Sequence, residues 1–295
     1  MTASRRSADA IVVGAGPAGL AAAVQLTRQG IDTVVLEKDR PGGQIATANR
    51  VENYLGLFGI AGPEIARLFV RHAMNAGVRI VKADVAAVTG RGPFAIRTDR
   101  GDWRARAVVV ATGAAPRELA GADGVVDYDT GDLDAFRGRS VLVLGSGDAA
   151  FDRALRIGPV ASSVRIICRG KPTALPLLIL RCRKASIPVV EDAGEPRVRM
   201  AGLRFEVGTR KGTLTADRLL ASIGKTARPP GLPRPIEKLA PALPDGRTTV
   251  PGLWLVGDLV SGRERYLSTA TGMGLSAAMA VGEWFKKAKR IGGRR

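Results

Sequence analysis

Gly14-Ala15-Gly16-Pro17-Ala18-Gly19 has the composition and spacing of a turn that can hold a pyrophosphate. In such a turn the first glycine makes the bend, the second lets backbone approach the phosphates, and the third lets the following helix pack closely on its strand. Glu37 stands 18 positions after Gly19, where a carboxylate can accept both hydroxyls of a ribose. Gly145-Ser146-Gly147-Asp148-Ala149-Ala150 repeats the pattern with alanine third. Here the same count of 18 from Ala150 reaches Cys168 rather than an acid, and Arg169 and Lys171 follow. A missing carboxylate beside cations disfavours NAD and favours the 2′-phosphate of NADP. A retained fold around a disused pocket is the other reading of this second turn.

Other chemistries find few residues. Cys168 and Cys182 are the only cysteines, and the thirteen residues between them match neither a redox pair nor metal-ligand spacing. Each reads as a small buried hydrophobe. His72, the single histidine, follows Phe69 by three and Leu68 by four, so helical periodicity predicts that it shares their partly buried stripe. Hydrolytic triads and zinc sites are thereby excluded, and no metal site is predicted.

Composition narrows the setting. Two cysteines rule out a disulfide framework and fit a reducing cytoplasmic compartment. The Ser4-Arg5-Arg6 start is followed by Ile11 to Val13, but Gly14, Gly16 and Gly19 interrupt the apolar run, so no signal peptide is predicted. Runs such as Val108 to Ala111 and Leu177 to Leu180 fall far short of the roughly 20 residues that span a bilayer. Forty-five Lys and Arg against 27 Asp and Glu give a net charge of +18, which draws acidic partners to the surface. The cations are scattered without interleaved aromatics, so a nucleic-acid partner is not predicted.

The elements that must position these groups follow from periodicity. Ala8 to Val13, Pro17 to Gln29 and Asp32 to Leu36 read as strand, helix and strand, with Gly30 as a left-handed helix cap. Ser140 to Leu144, Asp148 to Ile157 and Ser163 to Ile167 repeat that βαβ grammar. The chain is therefore expected to be α/β, with two doubly wound, Rossmann-like nucleotide-binding domains. Between the two units lie a Gly- and Pro-rich loop from Pro41, a helix from Pro63 to about Ala76, alternating strands from Arg79 to Val110, and a crossing near Gly113 to Pro116. Later elements are a strand near Leu219 to Ile223, a stiff return through Pro229, Pro230, Pro233 and Pro235, a strand over Leu253 to Val256, and a helix from Thr269 to Trp284. The basic tail from Lys286 reads as a frayed, solvated end. This order makes the first domain discontinuous, residues 1–115 with 233–295, and inserts residues 116–232 into it.

Gly14 to Gly19, Glu37, Pro41-Gly42-Gly43-Gln44, Val51-Glu52-Asn53-Tyr54, Ala111-Thr112-Gly113-Ala114 and Gly257-Asp258 stand in an order that resembles the low-molecular-weight thioredoxin reductases. The resemblance runs through nearly the whole chain and implies an FAD site in the first domain. It places Gly42, Gly43, Gln44 and Asn53 along the flavin and Asp258 at the ribityl or pyrophosphate part. Lys38, Val85, Ala111, Thr112, Gly113, Gly257, Thr269 and Ala270 also fall to that site. Tyr266, beside Arg265, stands where it can stack on the flavin or pack at a domain boundary, and the helix from Thr269 would turn its N-terminus to the ring. Gly145, Gly147, Asp148, Ala149, Arg169 and Lys171 are implied to hold NADPH, although only Arg169 survives from the family's arginine run. Homodimerisation is implied as well.

One departure bears on activity. Thioredoxin reductases carry Cys-x-x-Cys over the flavin, but here Tyr128 and Gly131 stand at those positions, within Asp127 to Asp132. Neither can exchange thiols. Four outcomes stay open: electron passage between NADPH and an acidic ferredoxin or flavodoxin, use of oxygen, a quinone or a small disulfide as acceptor, a flavoprotein with an altered nicotinamide site, and a non-catalytic flavin-binding protein. The apolar Leu175 to Leu180 run reads as core, with the lining of an acceptor pocket as the alternative.

Overall fold

The computed structural model describes residues 6–122, 126–227, 229–233 and 244–292, so Gly124, Val125, Pro235 and the final three residues of the basic tail lie outside it. The chain divides into two compact units, one of residues 1–46, 63–114 and 227–295, the other of residues 47–62 and 115–226.

In the first unit β1 (Arg6–Val13), α1 (Pro17–Arg28) and β2 (Thr33–Glu37) form the opening βαβ. After α2 (Gly62–Asn75) come β3 (Arg79–Lys82), β4 (Val85–Thr89), β5 (Phe94–Thr98) and β6 (Trp103–Val110). Short strand β7 (Ala114–Pro116) carries the crossing into the second unit.

The second unit continues with β8 (Ser140–Leu144), α3 (Asp148–Ile157), β9 (Ser163–Ile167), α4 (Pro176–Lys184) and β10 (Val189–Val190). A meander of β11 (Arg197–Ala201), β12 (Arg204–Thr209) and β13 (Gly212–Ala216) precedes β14 (Arg218–Ala221). The chain returns through β15 (Lys225–Ala227), which pairs with β7, and the first unit closes with β16 (Leu253–Leu255) and the long helix α5 (Leu267–Gly292).

Sheet order in the first unit is β3-β2-β1-β6-β5-β4, and β6 has room for two neighbours on one edge. Its Trp103–Ala105 end pairs antiparallel with β5, while Val108 to Val110 pair parallel with β16. Successive residues of β1 serve opposite cores, as the pleat requires. Ala10 and Val12 pack toward α1 and α5 with Leu26, Val281 and Phe285, whereas Ile11 and Val13 pack on the other face with Ile96 and Leu255. The second unit has a parallel sheet, β10-β9-β8-β14, with Val141 and Val143 facing Phe151 and Ala154 of α3. Leu142 and Leu144 face Phe205 and Val207 of the meander.

Three expectations are corrected. His72 is exposed, because α2 turns Ile65, Ala66 and Ala73 inward and so points its other side at solvent. Leu175, Leu177 and Leu180 are 56%, 49% and 47% exposed, while Leu178 and Ile179 pack against the core, so the apolar run is only in part core. Lys286 to Gly292 continue α5, where a frayed end is expected from charge alone. Among the described residues no helix is long and apolar enough to cross a membrane.

Candidate functional site

The first glycine turn is built by exclusion. Gly14 has φ +102°, and a Cβ there would lie 2.6 Å from the Ala111 carbonyl oxygen. A Cβ on Gly19 would lie 1.9 Å from the Gly14 carbonyl oxygen, so both positions admit no side chain. Gly16 differs, since the nearest atom to its Cβ position is the Gly43 Cα at 4.0 Å. That is ordinary van der Waals contact, so the Gly16 backbone is uncrowded on that side. Gly16 caps α1 with no side-chain hydrogen bond, and Pro17 opens the first turn. The first-turn N–H groups of α1, including those of Ala18 and Gly19, therefore form a site for an anion.

Several of the other first-unit candidates lie against this turn. Glu37, at the end of β2, accepts from the Ala15 N–H at 2.6 Å and the Asp39 N–H at 2.9 Å, which fixes its carboxylate beside the turn. Gly42 donates its N–H to the Ala15 carbonyl at 2.8 Å, and a Cβ on Gly43 would lie 2.9 Å from Gly16 Cα. Gln44 donates its amide to the Ala114 carbonyl. Ala111 follows β6 and donates to the Val13 carbonyl at 2.8 Å; exposed Thr112 and half-buried Gly113, φ +70°, come next. Gly257 brings the 3-10 turn of Gly257–Leu259 against α1, its Cβ position 2.8 Å from Ala18 Cβ, and half-buried Asp258 sits in that turn. Thr269 and Ala270 lie in the first turn of α5, directly after Tyr266, which is 52% exposed. Val85 begins β4 opposite Thr98, and Lys38 is exposed beside Asp39. Asn53 is not on these elements: it lies exposed in loop 47–62 of the second unit.

The second turn repeats the construction. Gly145 has φ +151° with its Cβ position 2.5 Å from the Ser222 carbonyl oxygen, and Gly147 caps α3 with the Thr173 hydroxyl 3.9 Å from its Cβ position. Asp148 accepts from the Leu175 N–H at 2.8 Å, and Thr173 donates its N–H to the Ser146 carbonyl at 2.7 Å. Ala149 is exposed at the start of α3. Cys168, at the end of β9, is buried and donates its thiol to the Gly145 carbonyl at 3.4 Å. Arg169 does not stand free as a phosphate ligand: its guanidinium pairs with Glu195 at 3.3 Å, while Lys171 is exposed.

A model of the pyridine nucleotide-disulphide oxidoreductase family matches residues 8–274. The chain belongs to this family. It is 30% identical to a thioredoxin reductase of Bacillus subtilis, over 92% of this chain and 93% of that protein. Crystal structures of thioredoxin reductases from T. acidophilum and Lactococcus lactis share 27% and 25% identity with it. Each covers 95% of this chain and 99% of the other, with TM-scores of 0.84 and 0.85. The chain is thus an oxidoreductase of a family that uses FAD and NADPH, with two Rossmann-like domains, the second inserted in the first. Its residues fit a flavin nucleotide, as the Gly16 backbone is uncrowded and the Ser261 hydroxyl, three residues past Asp258, is buried without a hydrogen-bond partner among the described residues.

This oxidoreductase holds the Asp127 to Asp132 segment at nearly every residue. Asp127 receives a two-pronged bond from Arg218, at 2.9 and 2.6 Å, and burial nonetheless pushes its carboxyl above the ordinary value. The Tyr128 hydroxyl accepts from the Leu119 N–H at 2.9 Å. Asp129 accepts from the Gly131 N–H at 2.9 Å, and buried Thr130 donates to the Thr47 carbonyl at 3.0 Å. Beneath lies Arg153, 8% exposed and bonded to Ser222 at 2.7 Å. Burial pulls its guanidinium below the ordinary value, against the fields of Asp129 and Asp152. Both cysteines are free and buried, and burial pushes the Cys182 thiol up to about 11.

Sequence reasoning missed the clasp on loop 47–62. Arg181 of α4 grips Glu52 with bonds of 2.6 and 2.9 Å, and Asp152 of α3 accepts from the Asn49 N–H at 2.8 Å. The advance signal was charge inside the apolar pattern of α3, at Asp152, Arg153 and Arg156, the last of which donates to the Ala48 carbonyl of the same loop at 3.1 Å.

Proposed function

We propose that this chain is an FAD-dependent oxidoreductase that moves electrons between NADPH and an acidic carrier protein, of the ferredoxin or flavodoxin kind, with no redox-active dithiol. The observation that carries this reading is the thiol-free Asp127 to Asp132 segment, together with two cysteines that are buried and held as thiols. A thiol relay needs an accessible thiolate, and burial disfavours that form at both positions.

FAD, when bound, supplies exchange of both hydride and single electrons, which suits a donor of one kind and an acceptor of the other. In this reading Gly14, Gly16 and Gly19 with the α1 amides take its pyrophosphate. Glu37 orients the ribose, and Asp258 and Ser261 bond the more polar part of the flavin chain. The first turn of α5 adds N–H groups that favour negative charge. The half-exposed Tyr266 is available to cover the ring. Gly145, Gly147 and the α3 amides take the pyrophosphate of NADPH. The first unit is accordingly the FAD domain and the second the nicotinamide domain.

The charge of +18 supports an acidic partner over a neutral one. We place the chain in a reducing cytoplasm, as a homodimer. Anaerobic addition of NADPH, then NADH, to the yellow protein tests the proposal. Bleaching by NADPH followed by reoxidation with ferredoxin or flavodoxin is expected. Bleaching by dithionite alone would leave a flavin-binding protein without this activity.

A further inference from the structure

Arg169 is the retained cation at the end of β9, where the strand after a fingerprint helix presents its tip to the adenosine ribose. Glu195 bonds it at 3.3 Å. The carboxylate is not there by chance rotamer of a loose loop. Residues 191–195, Glu-Asp-Ala-Gly-Glu, are stitched to residues 168–170 by three backbone bonds. Asp192 N–H donates to the Gly170 carbonyl at 3.0 Å, Ala193 N–H to Cys168 at 3.0 Å and Gly194 N–H to Arg169 at 2.9 Å. Ala193 is fully buried, Asp192 takes φ +53°, and the Arg210 side chain fills the space a Cβ would need at Gly194. The fold thus fixes a loop bearing Glu191, Asp192 and Glu195 against the strand tip.

We propose that Glu195 is a specificity-determining residue: it occupies Arg169 and sets how strongly this chain prefers a 2′-phosphorylated dinucleotide to one with a free ribose. The inference rests on the reading of the second glycine turn as a nicotinamide dinucleotide site. A 2′-phosphate must displace Glu195 from Arg169 and then sit beside a carboxylate, two costs that a 2′-hydroxyl does not meet. Lys171 and Arg210 offset them in part. Both side chains of the pair are exposed, at 75% and 78%, so displacement is feasible and the effect is a graded bias rather than a block.

The test uses the FAD-loaded protein and two fragments of the dinucleotide, 2′,5′-ADP and 5′-ADP, titrated calorimetrically. Glu195→Gln is expected to tighten 2′,5′-ADP about five- to twentyfold and to change 5′-ADP less than twofold, with the gap narrowing as salt rises. In an Arg169→Ala background the same substitution is expected to gain less than half as much. Equal changes for the two nucleotides, or none, would overturn the role of Glu195. If neither nucleotide binds the wild-type protein, the reading of the second turn fails first and this inference falls with it.

Discussion

At the scale of single residues, Gly16 and Gly19 make opposite demands although the fingerprint treats them alike. Gly16 already has backbone angles that any residue adopts, φ −75° and ψ 179°, and its Cβ position meets nothing nearer than the Gly43 Cα at 4.0 Å. Gly16→Val is therefore expected to fold, with an unchanged circular dichroism spectrum, yet purify colourless and refuse FAD, because its methyl groups fill the phosphate approach. Retention of a stoichiometric flavin would remove the first turn from the FAD site. Gly19→Val meets the Gly14 carbonyl instead and is expected to lose the fold itself. The two glycine turns were readable in advance because each role is local. The pairing of Arg169 with Glu195 was not, since its partners lie 26 positions apart and no local pattern links them.

Among the elements, α1 and α5 approach each other closely. A Cβ at Gly274 would lie 2.1 Å from the Ala18 carbonyl, so Gly274→Ala must push α5 away from the helix that carries the first turn. A loss of about 2 kcal/mol, the middle of the range for overpacking, should appear as a lower thermal midpoint coinciding with flavin release. The clasp on loop 47–62 gives a prediction with a pH sign. The hydrogen bond from Arg181 holds the Glu52 carboxyl below its ordinary 4.5. A depressed acid stabilises the folded form above its unfolded pKa and ceases to do so as pH falls through the lower, folded one. Arg181→Ala should hence speed tryptic cleavage at Arg50 at neutral pH, and the hydrogen-exchange difference from wild type across the loop should vanish in acid below that value. Strand and helix bounds in β8, α3 and β9 were legible because hydrophobic period and glycine punctuation agree there. The phase of α2 and the outer face of α4 were misread because apolar neighbours alone do not tell which side of a helix meets its sheet.

For the whole molecule, the charge and the proposed lack of a thiol relay make separable predictions. Replacing Cys168 and Cys182 together with serine is expected to leave flavin reduction by NADPH within twofold of wild type, while thioredoxin stays unreduced by either protein. Reduction of thioredoxin that depends on those cysteines would restore a dithiol route. Transfer to an acidic carrier should slow steeply between about 50 and 300 mM salt, as steering by a net charge of +18 is screened, whereas a small neutral quinone should show no such dependence.

The Asp127 to Asp132 segment also limits what could be rebuilt. Tyr128→Cys removes the hydroxyl that receives the Leu119 N–H, and a Cβ at Gly131 falls 3.3 Å from the Asp129 carboxylate that the same residue's N–H now meets. Thr130 stays tethered to Thr47, and Asp127 to Arg218. Cysteines placed at positions 128 and 131 would therefore bring in sulfurs without the freedom that exchange needs. A road to disulfide exchange runs through the anchors as well as the cysteines, and an engineer who wants that chemistry must release the segment before arming it.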